Sequence, residues 1–175
     1  MKIVLETERL YLREFTINDI TDLSEILQDI EVMYAWEHSF SDEEVTNWFN
    51  KNSESYIKNG FSFWAVIHKK TNKLLGYCGI TIQKITGNDL LEIGYSLKKI
   101  YWHNGYATEA ASGCKNYAFE TLKAEKIYSI IRENNISSQN VAKRIGMKQV
   151  DEVIKQYYNM DMLHYIFQIN KYGAA

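Results

Sequence analysis

Proline is absent from all 175 residues, so no turn or helix boundary here is imposed by a locked φ, and punctuation falls to Gly, Asn, Asp and Ser. Cysteine is nearly absent as well. Cys78 and Cys114 lie in apolar segments without CxxC or Cys/His spacing, which argues against a disulfide scaffold or a zinc site and fits reduced packing thiols in the cytoplasm. The four histidines, His38, His68, His103 and His164, show no ligand spacing with cysteines or paired carboxylates, so no metal is expected. No run approaches the about 18 uncharged apolar residues of a membrane span. The stretch Met1-Lys2-Ile3-Val4-Leu5-Glu6 meets charge before it can form a leader's apolar core, so neither export nor membrane attachment is expected. Excess positive charge is missing too. With a net charge of −2, and its longest basic cluster at His68-Lys69-Lys70-Thr71-Asn72-Lys73 resembling a solvated turn, the chain is not expected to bind nucleic acid. It has no internal repeat and no low-complexity linker, so one domain spanning 1–175 is expected.

What is present is ordinary for a folded protein: 46% hydrophobic and 24% charged residues, enough to build a substantial core. Leu10 and Leu12, with Phe15, predict a first strand. Thr16-Ile17-Asn18-Asp19 starts a helix with Ile20, Leu23, Ile26 and Leu27 as its apolar stripe. After an aromatic loop, Ser41-Asp42-Glu43-Glu44 is a capping-box pattern opening a helix with Val45, Trp48, Phe49 and Ile57 on its packed side, and Gly60 is its stop. Phe61–Ile67 and Leu74–Ile82 predict a strand pair, with Thr86-Gly87-Asn88-Asp89 turning into a third. Lys126–Ile131 predicts a strand, Asn135–Ile145 a helix, and Met147–Val153 and Tyr165–Ile169 two closing strands.

The centre of the chain runs from Leu90 to Leu122. Leu90–Leu97 has the apolar, β-branched and aromatic character of a strand, with Glu92 its one charge. Beyond Lys98 and Lys99, the turn Trp102-His103-Asn104-Gly105-Tyr106-Ala107-Thr108 feeds a helix whose small face is Ala107, Ala110, Ala111, Cys114, Ala118 and Leu122. Such a strand-turn-helix junction presents free N–H groups and the positive end of a helix dipole, which suits a phosphate. A glycine at such a turn serves equally well for tight backbone geometry alone. The strand at Leu90, the helix and the strand at Lys126 make a βαβ crossover, so the two strands are parallel if they share a sheet.

Four ordered motifs carry a resemblance: Glu92-Ile93-Gly94-Tyr95-Ser96-Leu97, Trp102 through Ala110, Asn135-Ile136-Ser137-Ser138, and Arg144-Ile145-Gly146-Met147. In order and spacing they resemble the GCN5-related N-acetyltransferase (GNAT) superfamily. They are most similar to its branch of ribosomal-protein N-terminal acetyltransferases, which Leu5-Glu6-Thr7-Glu8-Arg9-Leu10-Tyr11-Leu12-Arg13 also resembles. The resemblance implies an α/β fold: a mixed, mainly antiparallel sheet with helices on both faces and one splayed parallel strand pair. It implies that acetyl-CoA lies in that gap. Ser96 and Leu97 would meet the pantetheine through their backbone, His103, Asn104, Gly105, Tyr106, Ala107 and Thr108 would hold the pyrophosphate, and Asn135 and Ser138 would contact the pantetheine and the reacting sulfur. The family often has Gln or Arg where Trp102 stands, and commonly Gly where His103 stands. Lys98 and Lys99 either add attraction for the phosphates or are simply exposed, and exposure is favoured.

Acetyl transfer needs a neutral amine and an acid for the departing thiolate. Glu92 is the candidate base, since a carboxylate in an apolar strand has a raised pKa and shares its face with Gly94 and Ser96; pairing with a lysine of a neighbouring strand is the competing reading. Ser138 resembles the branch's acid and equally suits a helix cap, with Tyr117 and Tyr128 as further hydroxyls. Tyr34, Trp36 and His38, with Tyr157 and Tyr158, fall in segments that line the acceptor side of the family. The expected activity is acetyl transfer to a primary amine, either a protein N-terminus or a small molecule, by a monomer or homodimer. The rivals are a non-catalytic acyl-CoA-binding or sensing domain and a structural subunit.

Overall fold

The computed structural model describes residues 2–172. Eight strands form one sheet: β1 (Ile3–Glu6), β2 (Leu10–Arg13), β3 (Phe63–His68), β4 (Leu74–Ile85), β5 (Asn88–Leu97), β6 (Lys126–Arg132), β7 (Lys148–Tyr157) and β8 (Met160–Asn170). Their spatial order is β1-β2-β3-β4-β5-β6-β8-β7. Neighbours are antiparallel except β5 and β6, which are parallel. That pair is joined by helix α3 (Tyr106–Glu120), as the crossover rule requires. Helices α1 (Ile20–Leu27) and α2 (Asp42–Asn59) cover one face of the sheet, and α3 and α4 (Ile136–Arg144) the other.

Strand alternation divides the core between those faces. Trp64 and Val66 of β3 join Cys78, Ile80 and Ile93 beneath Ala110, Ala111, Cys114 and Ala118 of α3. Ala65 and Ile67 turn the other way, toward Leu23, Ile26, Leu27 and Val45. The small face of α3 lets it lie close to the sheet. At Gly113 the approach is closer still, since a β-carbon there would stand 2.9 Å from side-chain atoms of both Leu5 and Thr7. Cys78 and Cys114 are buried and unbonded, their sulfurs 3.5 Å apart across the β4–α3 contact.

The expected capping box is present: Ser41 Oγ accepts from the Glu44 amide at 3.2 Å and the Ser41 amide donates back to Glu44 at 2.8 Å. Gly60 ends the helix at φ 80°. Its packed face departs from expectation, because Ile57 is 90% exposed. The stripe instead continues from Val45 through the buried Asn52, whose amide donates to the Tyr56 hydroxyl at 2.7 Å and the Phe63 carbonyl at 2.8 Å. The strand at Leu10 is the second in the chain, since Ile3–Glu6 forms an edge strand before it. The two closing strands are longer than expected and form a hairpin turned by Tyr158 and Asn159 at φ 49° and 62°.

Candidate active site

The site begins where β5 and β6 stop pairing. They share one registered pair, Glu92 with Tyr128. Just beyond, side chains take over from the backbone ladder: Ser129 Oγ donates to the Ile93 carbonyl at 2.8 Å, and the Ile130 amide donates to Glu92 Oε1 at 3.1 Å. β5 stays paired to β4 as far as Leu97, so the edge of β5 facing β6 is left with free backbone groups. Tyr95 holds the gap against α4, its hydroxyl donating to the Ser138 carbonyl at 2.7 Å.

A cleft of about 730 Å³ opens along this edge. Of the residues singled out in the sequence, Tyr34, Ser96, Leu97, His103, Gly105, Tyr106, Ala107, Thr108 and Asn135 line it. Asn104, Trp36, His38, Glu92 and Ser138 are not among its lining residues, whereas Ser137 is.

At one end of the cleft, Gly105 adopts φ 79° and serves as the N-cap of α3. The first amide of that junction to find a helical partner is that of Glu109, bonded to the Gly105 carbonyl at 3.0 Å, so the amides of Tyr106, Ala107 and Thr108 precede the helical ladder. The two departures from the family pattern acquire a physical account. His103 sits at φ 60°, a left-handed conformation that glycine adopts freely and that costs another residue about 1–2 kcal/mol. The Trp102 indole donates to the Leu97 carbonyl at 2.8 Å and so braces the loop against the end of β5. Lys98 and Lys99 serve other partners. Lys98 is bonded to Asp22 and Glu25 with its side chain only 11% exposed, contrary to the expected exposure, and Lys99 is paired with Glu31.

Arg9, which falls in the Leu5–Arg13 stretch but has no role from its sequence pattern, is a further residue of this region. Its Nε donates to Glu109 at 2.6 Å and its Nη1 to the Asn104 carbonyl at 3.1 Å. Its guanidinium lies 4.5 Å from the centre of the Tyr106 ring.

Opposite α3, Asn135 caps α4: its Oδ1 accepts from the Ser138 amide at 3.0 Å and also from the Tyr34 hydroxyl at 2.7 Å. Burial raises the Tyr34 hydroxyl above the usual tyrosine value, with a bond to Ser137 acting against it. One oxygen therefore joins α4 to the loop between α1 and α2.

Glu92 points to the face opposite α3, as alternation requires. Burial pushes its carboxyl above the ordinary carboxylate range, although the charge of Lys155 and the bonds from Ile130, Thr81 and Gln83 act in the opposite sense. The competing reading, an ion pair with a lysine, is absent among the described residues: Lys155 of β7 instead donates to Gln83 at 3.2 Å. On the same face, Gly94 makes room for the Phe63 ring, which lies 2.8 Å from where a β-carbon would stand.

The loop carrying the other acceptor-side candidates is held from both halves of the sheet. Trp36 packs against the α1–α2 core. Arg132 of β6 donates to the Ala35 carbonyl at 2.9 Å and to Glu37 at 2.6 Å. His38 contacts the Glu44 carboxylate at 2.9 Å, and its ring stacks on Tyr158 at 3.9 Å between centroids. Tyr157 lies 5.8 Å from the ring of His164, which burial keeps below the usual histidine value. Tyr117 packs edge-on to Trp64 at 5.2 Å, a core contact. Among the described residues, no group of three or more His, Cys, Asp or Glu side chains converges as a metal ligand set, and no helix is long and apolar enough to cross a membrane.

Comparison with known proteins gives this arrangement a lineage. Residues 9–148 match the model of the acetyltransferase (GNAT) domain. The chain is 35% identical over 147 residues to the uncharacterised protein YkkB of Bacillus subtilis, covering 83% of this chain and 86% of that one. Its fold superposes with a TM-score of 0.80 on the crystal structure of a GNAT-family acetyltransferase from Bacillus anthracis, at 29% identity and covering 95% and 97% of the two chains. It superposes with a TM-score of 0.75 on the spermidine N-acetyltransferase of Vibrio cholerae, solved with CoA and spermine, at 17% identity over 94% and 97%.

Proposed function

Because this chain belongs to the acetyltransferase (GNAT) family, we propose that it moves an acetyl group from acetyl-CoA directly to a primary amine in a ternary complex. The observation that carries this reading is the break in β5–β6 pairing, which opens into the same cleft as the first turn of α3. The residues present fit the cosubstrate. The free edge of β5 offers the backbone groups of Tyr95 and Leu97 to an amide-bearing pantetheine arm. Ser96 lines the cleft while its own amide and carbonyl turn to Tyr77 of β4, contrary to the expected backbone contact. The amides at Tyr106, Ala107 and Thr108, approached through His103, Asn104 and Gly105, suit a diphosphate. The Leu97 carbonyl already accepts from Trp102, so its second lone pair is the one left for a ligand. Asn135 and Ser138 are assigned to the pantetheine arm and the sulfur.

In the reaction the amine nitrogen bonds to the acetyl carbonyl carbon, the carbon–sulfur bond breaks, and the sulfur leaves with the electron pair. The amine must shed a proton. Glu92, raised by burial and on the face away from α3, is the group assigned to take it, directly or through water. Ser138 is assigned to return a proton to the sulfur. Ser137 and Tyr34 are hydroxyls that line the cleft, and they are the alternatives to test beside it. Tyr34, Trp36 and His38 are assigned to the acceptor, a protein N-terminus or a small-molecule amine. The spermine in the Vibrio cholerae structure supports including polyamines among the amines tried.

Calorimetry with CoA and acetyl-CoA, followed by thiol release in the presence of N-terminal peptides, polyamines and amino sugars, tests this reading. Uptake of acetyl-CoA with amine-dependent thiol release is the expected result. Folded protein that takes up neither at millimolar concentration would overturn it, and uptake without release for any amine would leave a sensing domain in its place.

A further inference from the structure

Outside the residues assigned above, Glu109 of the cleft wall belongs to an ionic arrangement, with Thr7 and Arg9 outside the lining, that its structural duties do not exhaust. Glu109 lies in the first turn of α3 and lines the cleft, with its side chain 15% exposed. A carboxylate there would repel a diphosphate approaching the same helix end. Its charge is countered from 100 residues away: Thr7 Oγ1 donates to it at 2.6 Å, the Arg9 amide at 2.7 Å and Arg9 Nε at 2.6 Å. Burial alone would raise this carboxyl, but those three bonds outweigh it and hold it below the ordinary range.

Arg9 brings more than Glu109 consumes. Its backbone amide and Nε serve the carboxylate, and Nη1 serves the Asn104 carbonyl in the cradle loop. Nη2 has no protein partner among the described residues and lies 3.5 Å from the point a β-carbon on Gly105 would occupy. Stacking over Tyr106 fixes the guanidinium plane. A rigid donor is thus parked at the N-cap of α3, where a cation would otherwise be disfavoured by the helix dipole. Lys98 and Lys99, the cations nearest in sequence, are engaged by α1 and Glu31 instead.

We propose that Arg9 is part of the diphosphate site: its guanidinium, oriented by Glu109 and the Asn104 carbonyl, cancels the Glu109 charge and presents Nη2 to a phosphate oxygen of the cosubstrate. This deepens the acetyl-CoA reading and rests on it. It makes the β1–β2 turn a component of the cofactor site.

The test is competition calorimetry of the full chain with CoA, 4′-phosphopantetheine and pantetheine, which differ in their phosphate groups. Arg9→Gln is expected to weaken CoA at least about tenfold while leaving pantetheine unchanged. Arg9→Lys keeps the charge but not the fork and is expected to weaken CoA while leaving pantetheine unchanged; it also carries the comparison if Arg9→Gln does not fold. CoA binding unchanged in folded Arg9→Gln, or in folded Arg9→Lys where Arg9→Gln does not fold, or an equal loss for pantetheine would each overturn the assignment. Failure of the unaltered protein to bind CoA would instead overturn the acetyl-CoA reading beneath it.

Discussion

Glu92 Oε1 accepts the amide hydrogen of Ile130 at 3.1 Å, so the proposed base also stitches together the two strands whose separation makes the cleft. Its folded-state pKa is raised. Its contribution to stability is therefore fully present below the ordinary carboxylate range and is lost as pH rises through the folded value. Glu92→Gln keeps an oxygen for Ile130 and carries no charge. Thermal melts from about pH 4 to about pH 8 should show the variant matching the parent in acid and exceeding it near neutrality. Its kcat should fall by about 10²–10⁴ with CoA affinity intact, the range for a lost general base. Equal kcat across that pH range would remove Glu92 from the chemistry.

Asn135 is asked to do two jobs, and two substitutions separate them. Asn135→Ala removes the acceptor used by Ser138 and Tyr34 and should cost about 0.5–2 kcal/mol, the usual worth of an N-cap. Asn135→Asp retains an acceptor oxygen but loses the amide donor. Its melting temperature should return close to that of the parent while its CoA affinity stays low. If affinity recovered together with stability, Asn135 would be a cap only.

The stack of His38 on Tyr158 brings the α1–α2 loop against the tip of the β7–β8 hairpin. An aromatic pair of this kind is worth about 0.5–1.5 kcal/mol. Tyr158→Ala should therefore change stability little, raise KM for the amine several-fold and leave CoA binding untouched. A rise in KM for acetyl-CoA with none for the amine would place this contact on the wrong side of the site.

Local pattern carried the helix caps, the small face of α3 and the facing of Glu92 with Gly94 and Ser96, because each depends on residues a few positions apart. Ile57 misled for an equally local reason. It is the apolar residue near the stripe, whereas the true stripe passes through Asn52, a polar side chain made acceptable in the core by bonds to Tyr56 and the β3 backbone. The edge strand at Ile3–Glu6 lacks a fully buried position and so shows weak alternation. Arg9 with Glu109, Tyr34 with Asn135 and Lys98 with Asp22 join positions far apart in the chain, and no spacing rule brings such pairs together before the fold does.

With one registered pair between β5 and β6, the sheet is laid out like an open book, β1 to β5 forming one leaf and β6, β8 and β7 the other. The segment between α1 and α2 is bound at both ends to the first leaf, through Phe40 to the Leu27 carbonyl and through the buried Val32 and Met33. In between it reaches over to Arg132 and Tyr158 on the second. It is a tether of fixed length across the spine. Tyr34, which it carries, both bonds Asn135 and lines the cleft, so the strap that crosses the strand break is also a piece of the cleft's rim.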